Sequence, residues 1–409
     1  MKYSCNKLFD YFQYHLGQGS FSYCCKTPHY FPVDDDFNLN EELLTNHPVM
    51  VKRREELLNN IRTPACKACW TSEDMGLNSF RTPTNKHFEK TIQKSDIKKV
   101  EIILGTTCDA KCVYCGSYFS SKWEAENKLF NPNKVWPIKQ SNSKLDELFW
   151  NWFLDGVLQN LDSISLLGGE PLIMDSFYES LERMLEVLKK KPAPKKLNLS
   201  VFSNMNTPEK YINKFMVMLP KLEEHFNVTI QPSGESTGKQ FEYIRYGVSW
   251  DRWMENTERF LYTDISIKIA PTLTILCLPT LKNFLSIWDY FCEVRPVSLR
   301  FHNMSISDKP GIDISGTPKD YTNYIIEAID CLRGFKYIPE DNRQHNLDYL
   351  NVLVSKVFSN PSVKNSTEYA KNFYEYIAMI DMRRDLDFPT IFPEFQSLYN
   401  LGKLNSPSS

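Results

Sequence analysis

Apolar positions recur with two different periods between residues 98 and 304. Short apolar or alternating runs predict six β-strands, and longer runs with apolar residues three and four positions apart predict five helices between them. The predicted strands are KKVEIILG, SISLLGGEP, KLNLSVFSN, NVTIQPSGES, DISIKIAPTLTIL and VSLRFHNM. Because strands that alternate with helices form parallel sheets, we predict an α/β fold, a parallel sheet or partial barrel, with its chemistry at the C-terminal strand ends.

The two flanking regions have different patterns. Before residue 90 the chain is rich in aromatic residues and cysteine, and HPVMVKRREELLNNIR is its one clear helical run. After about residue 308 only helical runs follow. We therefore predict an irregular cysteine-containing region over 1–95, an α/β core over 96–308 and a helical C-terminal region over 309–409.

Composition limits the classes of function. The chain has 409 residues, 42% of them hydrophobic, which is enough for a large core. A formal net charge of −2 gives no general attraction to nucleic acid or to an anionic membrane. We see no secretory signal at the start and no apolar run of about 18 residues that could span a membrane. The expectation is a cytoplasmic protein that binds neither membrane nor nucleic acid.

Eleven cysteines are unevenly distributed, and eight of them precede Gly116. A reducing cytosol disfavours disulfides, so clustered cysteines there indicate metal binding or catalysis. Cys277, Cys292 and Cys331 are isolated in apolar segments and are expected to be small core residues.

Three of the clustered cysteines directly follow the first predicted strand of the core. Cys108, Cys112 and Cys115 are separated by three and then two residues. A structural zinc site needs four ligands, and no histidine is near in sequence, so zinc would require a ligand from a distant segment. Three thiolates can instead hold three irons of a [4Fe-4S] cubane and leave the fourth open to bind a small molecule. The spacing therefore favours a catalytic iron–sulfur cluster.

The C-x3-C-x2-C spacing after a first strand resembles the signature of the radical S-adenosylmethionine (SAM) superfamily. This resemblance implies a partial (β/α)6 barrel and a [4Fe-4S] cluster whose open iron binds the amino and carboxylate groups of SAM. It also implies reductive cleavage of SAM to a 5′-deoxyadenosyl radical, which abstracts a hydrogen atom from the substrate. Tyr114 occupies the position of an aromatic residue near the adenine, and an electron donor such as flavodoxin or ferredoxin is implied.

The end of the second strand resembles a further motif of the same superfamily. Gly168, Gly169, Glu170 and Pro171 match GGEP, which implies that the Glu170 carboxylate pairs with the amino group of SAM. Taken alone, the same four residues would be an ordinary turn.

Polar residues also follow the third and fourth strands. Ser203, Asn204 and Ser233 resemble positions that contact SAM, and Arg245 resembles an arginine that pairs with its carboxylate. Glu235 could bind ribose or act as a catalytic base. The alternatives are strand-end turns, a surface ion pair for Arg245 and a helix cap for Glu235.

The N-terminal cysteines form a second group. Cys66 and Cys69 have C-x2-C spacing, Cys24 and Cys25 are adjacent, and Cys5 lies near the start. The arrangement resembles the twitch/SPASM modules that bind auxiliary [4Fe-4S] clusters, and C-x2-C-W-x2-E-x2-G-x2-S-x-R and DMRRDLDFPTIFPEF resemble compact twitch-type proteins often encoded by bacteriophages. This implies a second cluster on Cys5, Cys24, Cys66 and Cys69. Cys25 in place of Cys24, zinc, or free structural cysteines are the alternatives.

The resemblance predicts a radical SAM enzyme that modifies a peptide or protein. A radical SAM enzyme acting on a small metabolite or nucleotide is the second reading. A non-catalytic iron–sulfur or zinc binding protein is the third.

Overall fold

A nine-stranded sheet is the centre of the fold. The structure is a computed structural model that describes residues 5–25, 27, 31–32, 48–74, 76, 79–82, 96–134, 143–301, 309, 311–357 and 366–406. The strands of the sheet are β1 Tyr11–His15, β2 Ser20–Ser22, β3 Phe31–Pro32, β4 Lys99–Ile103, β6 Ser163–Leu167, β7 Leu197–Ser203, β8 Phe226–Pro232, β10 Ser266–Ile269 and β11 Ser298–Leu299. A separate two-stranded sheet pairs β5 Lys111–Cys112 with β9 Arg245–Tyr246.

Helices connect the strands and form the C-terminal region. Those that precede or connect the strands are α1 Lys7–Asp10, α2 Pro48–Leu58, α3 Lys67–Asp74, α4 Ser121–Phe130, α5 Ser143–Trp152, α6 Asp175–Lys190, α7 Glu209–Glu223, α8 Gly238–Ile244, α9 Trp250–Leu261 and α10 Leu281–Val294. Those that follow are α11 Thr322–Gly334, α12 Glu340–Val352, α13 Ser366–Arg384, α14 Phe388–Ile391 and α15 Gln396–Asn405. Among the helices of the described residues, none combines the length and apolar character that crossing a membrane requires.

The six predicted core strands lie side by side in chain order, as β4, β6, β7, β8, β10 and β11, and all are parallel. This confirms the predicted α/β fold with a parallel sheet, while closure into a partial (β/α)6 barrel stays a prediction. β1 and β2 were not predicted and lie in a region that was expected to be irregular. β1 pairs with β4 in parallel, so part of the predicted N-terminal region belongs to the core sheet.

The two faces of the sheet differ in polarity. The ring of Tyr14 stacks on Phe149 of α5 with centroids 4.0 Å apart, so this face of β1 contacts a helix. The strand register places Ile102, Leu166 and Val201 on the same face as Tyr14, and all three are buried. The opposite face carries one polar row, composed of Gln13, Glu101, Ser165, Ser200, Thr229 and Ser266. The apolar core therefore lies between sheet and helices.

The last two core strands are shorter than predicted. β10 ends at Ile269, shortly before Pro271, which has no N–H to donate to a neighbouring strand. In the predicted continuation, Thr274 forms an isolated bridge with Asp313, and a 3-10 helix begins at Ile275. β11 has two residues, and residues 302–304 of the predicted strand lie outside the described part of the chain.

The C-terminal region is helical, as predicted. Its last helix, α15, packs closely on α13, since a Cβ atom on Gly402 would lie 2.1 Å from the carbonyl oxygen of Ala370. The predicted boundaries at residues 95 and 308 stay predictions.

Candidate functional site

The three-cysteine loop begins after β4, at the carboxyl edge of the parallel sheet. Cys108, Cys112 and Cys115 are free thiols and are half-buried. Cys112 pairs in register with Arg245 through β5 and β9, and Val113 N donates to Ile244 O at 2.8 Å. The loop is therefore fixed to the segment that follows α8.

Burial raises the pKa of all three thiols, and that of Cys115 to about 12. Arg245 and Arg384 oppose the effect of burial on the pKa of Cys112. Among the described residues, no group of three or more His, Cys, Asp or Glu side chains is arranged to hold a metal ion. A cubane carries its irons at separate corners, so its thiolates need not meet at one atom. Three free thiols on one fixed loop are a suitable donor set for such a cluster.

The Gly-Gly-Glu turn after β6 packs against the residues that lead into Cys108. Gly169 N donates to Gly105 O at 3.1 Å, and Glu170 N donates to Thr107 O at 2.8 Å. A Cβ atom on Gly169 would lie 2.1 Å from Thr107 O, and Gly168 has a φ of +146°. The glycines are thus required for contact between the turn and the cysteine loop, whereas their contact with a ligand stays a prediction.

The Glu170 side chain is fully buried and is held by the protein itself. Its carboxylate accepts hydrogen bonds from Asn204 N at 2.6 Å, Ser203 Oγ at 2.8 Å and Leu172 N at 3.2 Å. Burial raises the pKa of Glu170 to about 7, although these donors act in the opposite direction. Pro171 is also buried and begins a short 3-10 turn. Glu170 therefore joins the ends of β6 and β7, and its predicted contact with SAM stays a prediction.

Asp109 joins the cysteine loop to the residues after β7. Its two oxygens accept from Asn204 Nδ2 and Asn206 Nδ2, both at 2.7 Å. Asn206 also donates to Gly247 O at 2.8 Å. Sequence analysis did not identify Asp109 or Asn206. The sequence features that could have identified them are an acidic residue between the first two cysteines of the loop and a second asparagine in SNMN.

Glu235 and Arg245 form a buried ion pair beside this loop. Arg245 Nε and Nη2 donate to the two carboxylate oxygens at 2.9 and 2.6 Å. Tyr114 OH donates to Glu235 at 3.2 Å, and Thr272 N donates at 3.2 Å. The pair is not at the surface, and α8 begins after Thr237 without a side-chain cap from Glu235. The predicted contacts of Arg245 with SAM and the catalytic role of Glu235 stay predictions.

The predicted SAM-contacting residues lie on neighbouring strand ends. Ser233 N donates to Ser203 O at 2.8 Å, which continues the pairing of β8 with β7. The Tyr114 ring centroid lies 5.5 Å from the Arg245 guanidinium carbon. The structure thus brings the residues predicted from the core motifs together along one edge of the sheet.

The N-terminal cysteines lie around a separate cavity. Cys5, Cys24, Cys66 and Cys69 all line it, together with Lys7 and Arg81, and its volume is about 20 Å³. Burial raises the pKa of Cys5 to about 11 and that of Cys66 to about 12. These are the four cysteines of the predicted second site, and their binding of a metal stays a prediction.

Cys25 has a different environment from its neighbour Cys24. Its thiol accepts a hydrogen bond from Lys7 Nζ at 3.5 Å, and it is not among the residues that line the cavity. This position favours Cys24 over Cys25 as a ligand.

Comparisons with known proteins are sparse. No protein-family model matches the chain, and no curated protein matches it. Among solved structures, the chain is similar to SuiB of Streptococcus suis bound to its precursor peptide SuiA, with 14% sequence identity and a TM-score of 0.37. The match covers 74% of this chain and 64% of SuiB, so the chain spans less than two thirds of the length of that protein.

Proposed function

We propose that this protein is a radical SAM enzyme. The observation that carries the proposal is the contact between the cysteine loop and the Gly-Gly-Glu turn on adjacent parallel strands. Two backbone hydrogen bonds join them, and a Cβ atom on Gly169 would prevent this approach. The two motifs were identified separately in the sequence, and in the fold the two segments are in contact.

In this proposal Cys108, Cys112 and Cys115 hold three corners of a [4Fe-4S] cluster. When bound there together with SAM, the cluster would supply the electron for reductive cleavage of SAM, and the radical derived from SAM would abstract a hydrogen atom from the substrate. A flavodoxin or ferredoxin would donate the electron. The contribution of the chain is to hold the three thiols at fixed positions at the edge of the sheet.

The neighbouring polar residues bind and orient SAM. Gly169 and Ser233 are half-buried at the strand ends, and Tyr114 is half-buried beside them, where an adenine would stack. Glu170 and Asn204 have a further role, because their hydrogen bonds fix the ends of β6 and β7. Arg245 and Glu235, as an ion pair, form part of the same region.

A peptide or protein is the substrate that we propose, as the sequence resemblance implies. A small metabolite or nucleotide is the alternative.

A second metal centre is proposed at the N-terminal cavity, which Cys5, Cys24, Cys66 and Cys69 line. Four thiols suit either an auxiliary [4Fe-4S] cluster or zinc. We propose the iron–sulfur cluster. Metal binding there would also stabilise the fold of the N-terminal region.

Metal analysis and electron paramagnetic resonance (EPR) spectroscopy test this function. Anaerobically reconstituted protein should contain iron and sulfide, and its reduced signal should change when SAM is added. Replacing Cys108, Cys112 and Cys115 by alanine should remove the SAM-sensitive signal. Protein that holds only zinc after reconstitution would instead be a non-catalytic metal-binding protein.

A further inference from the structure

Helix α13 carries part of the DMRRDL segment and lies directly against the cysteine loop. Tyr376 OH donates a hydrogen bond to Val113 O, within the loop. Arg383 and Arg384 contact α4, the helix that follows the loop. The C-terminal helical region therefore reaches the proposed catalytic centre from more than 250 residues away in sequence.

Side chains hold the backbone of the loop at three carbonyls. Trp123 Nε1 donates to Cys112 O at 2.8 Å, and Ser120 Oγ donates to Ala110 O at 2.7 Å. Tyr376 holds the next carbonyl after Cys112. One of these contacts comes from α4, one from the N-cap residue directly before it and one from α13, so the loop geometry depends on both helices.

A buried charge cluster connects the same two helices. Glu126 of α4 is almost completely buried and accepts from Arg384 Nε at 3.2 Å and Nη2 at 3.3 Å. Lys111, next to Cys112, also contacts Glu126, and Arg383 Nη1 lies 4.0 Å from it. Three positive charges therefore surround one carboxylate.

The hydrogen-bonding groups of the two arginines are only partly satisfied. Arg384 Nη1 and Arg383 Nε are buried without a hydrogen-bond partner among the described residues. The Arg384 guanidinium carbon lies 4.6 Å from the ring centroid of Trp123, the residue that holds Cys112 O. Asp109 carries a negative charge on the loop, but two asparagines hold it at the ends of the strands.

We propose that α13 positions the cysteine loop and that Arg383 and Arg384 raise the reduction potential of the cluster bound there. The second half of this inference rests on the proposed function. Reduction adds one negative charge to the cluster, and nearby buried cations stabilise that charge more than solvent-exposed cations do. Of these two arginines Arg384 is the principal residue, because its side chain is fully buried.

Hydrogen exchange tests the positioning role without any cluster. In apoprotein, peptides that cover residues 108–116 should exchange faster in Tyr376→Phe and in Arg384→Gln than in the parent protein. Arg333→Gln is a matched control, because Arg333 is an exposed arginine of α11 that contacts only Asp330 in the described structure. Unchanged exchange in both test variants would overturn the positioning role.

Redox titration followed by EPR tests the effect of charge on the potential. Arg384→Gln should lower the midpoint potential, Glu126→Gln should raise it, and Arg384→Lys should stay close to the parent. The opposite signs of the change in midpoint potential distinguish an effect of charge from a general loosening of the loop. If Arg384→Gln does not fold, the potentials of Glu126→Gln and Arg384→Lys still test the electrostatic role. Potentials that do not move in these directions would overturn the electrostatic role. If the parent protein binds no iron–sulfur cluster, the proposed function and the electrostatic role fail together, whereas the exchange result still decides the positioning role.

Discussion

Glu235 and Arg245 meet in a bidentate, fully buried ion pair whose hydrogen bonds measure 2.9 and 2.6 Å. The pair connects the segment that follows β8 to β9, whose Arg245 is in register with Cys112. Each charge is the main polar partner of the other, so both residues have a structural role beside the cysteine loop. A variant at either position can therefore lose stability as well as chemical activity, and the two losses have to be distinguished.

Removing only one partner should destabilise the protein strongly. Arg245→Met leaves an uncompensated buried carboxylate, and such losses cost roughly 3–5 kcal/mol. The double variant Glu235→Gln, Arg245→Met should recover much of that loss, because no buried charge remains. Urea denaturation of the parent, the two single variants and the double variant measures this coupling. Additive losses in the double variant would contradict a direct ion pair.

Gly169→Ala should separate the Gly-Gly-Glu turn from the cysteine loop. The added Cβ would lie 2.1 Å from Thr107 O, a backbone atom that cannot rotate away. Overpacking of this kind costs at least roughly 1–3 kcal/mol, and we expect iron content to fall as well. Gly116→Ala is the matched control, because it follows Cys115 and its Cβ would meet no atom within 4 Å. Equal iron retention in the two variants would show that the contact is not needed.

The pH dependence of stability should change when Glu170 is replaced. Burial raises its pKa from 4.5 to about 7, so between these values the folded protein binds a proton that the unfolded chain has lost. The contribution of Glu170 to stability is therefore largest below pH 4.5 and is lost as the pH rises through about 7. The stability of Glu170→Gln relative to the parent should rise by up to roughly 3 kcal/mol across this window.

Urea denaturation from pH 4.5 to pH 8 measures this difference. Glu209→Gln is a suitable control, since the Glu209 side chain is 78% exposed. A constant difference for Glu170→Gln would mean that its carboxylate is already charged at pH 5.

The N-terminal thiols should bind metal independently of the three-cysteine loop. Cys66→Ala with Cys69→Ala should remove the metal of one centre and make the N-terminal region sensitive to protease, while the SAM-sensitive signal persists. Metal analysis of Cys24→Ala and Cys25→Ala should show loss only in the first, because Cys24 lines the cavity. If the metal content of the double variant equals that of the parent, these thiols serve only in packing.

Much of the fold could be predicted because its signals are local. Each core strand and each following helix shows its period within about a dozen residues, and C-x3-C-x2-C and GGEP are contiguous motifs. β1 was missed because its five residues are mostly aromatic, with no turn signal before them. Its position is decided by pairing with β4, 88 residues later in the chain.

The remaining parts of the site depend on contacts between distant segments. Asp109 and Asn206 are 97 residues apart, and Glu126 and Arg384 are 258 apart. Neither hydrophobic periodicity nor a short motif indicates which residues so distant in sequence are in contact. The glycines of GGEP could be identified from sequence, but their observed partner, the backbone at Gly105 and Thr107, could not.

The central claim is that the loop at Cys108, Cys112 and Cys115 supports reductive cleavage of SAM. The most direct measurement is mass spectrometry of adenosyl products after anaerobic incubation of reconstituted protein with SAM and dithionite. The account predicts 5′-deoxyadenosine from the parent protein and none above background from the triple alanine variant, with Cys292→Ala as a control that retains activity. Equal amounts of 5′-deoxyadenosine from the parent and the triple variant, or none from a parent that holds a complete cluster, would contradict it.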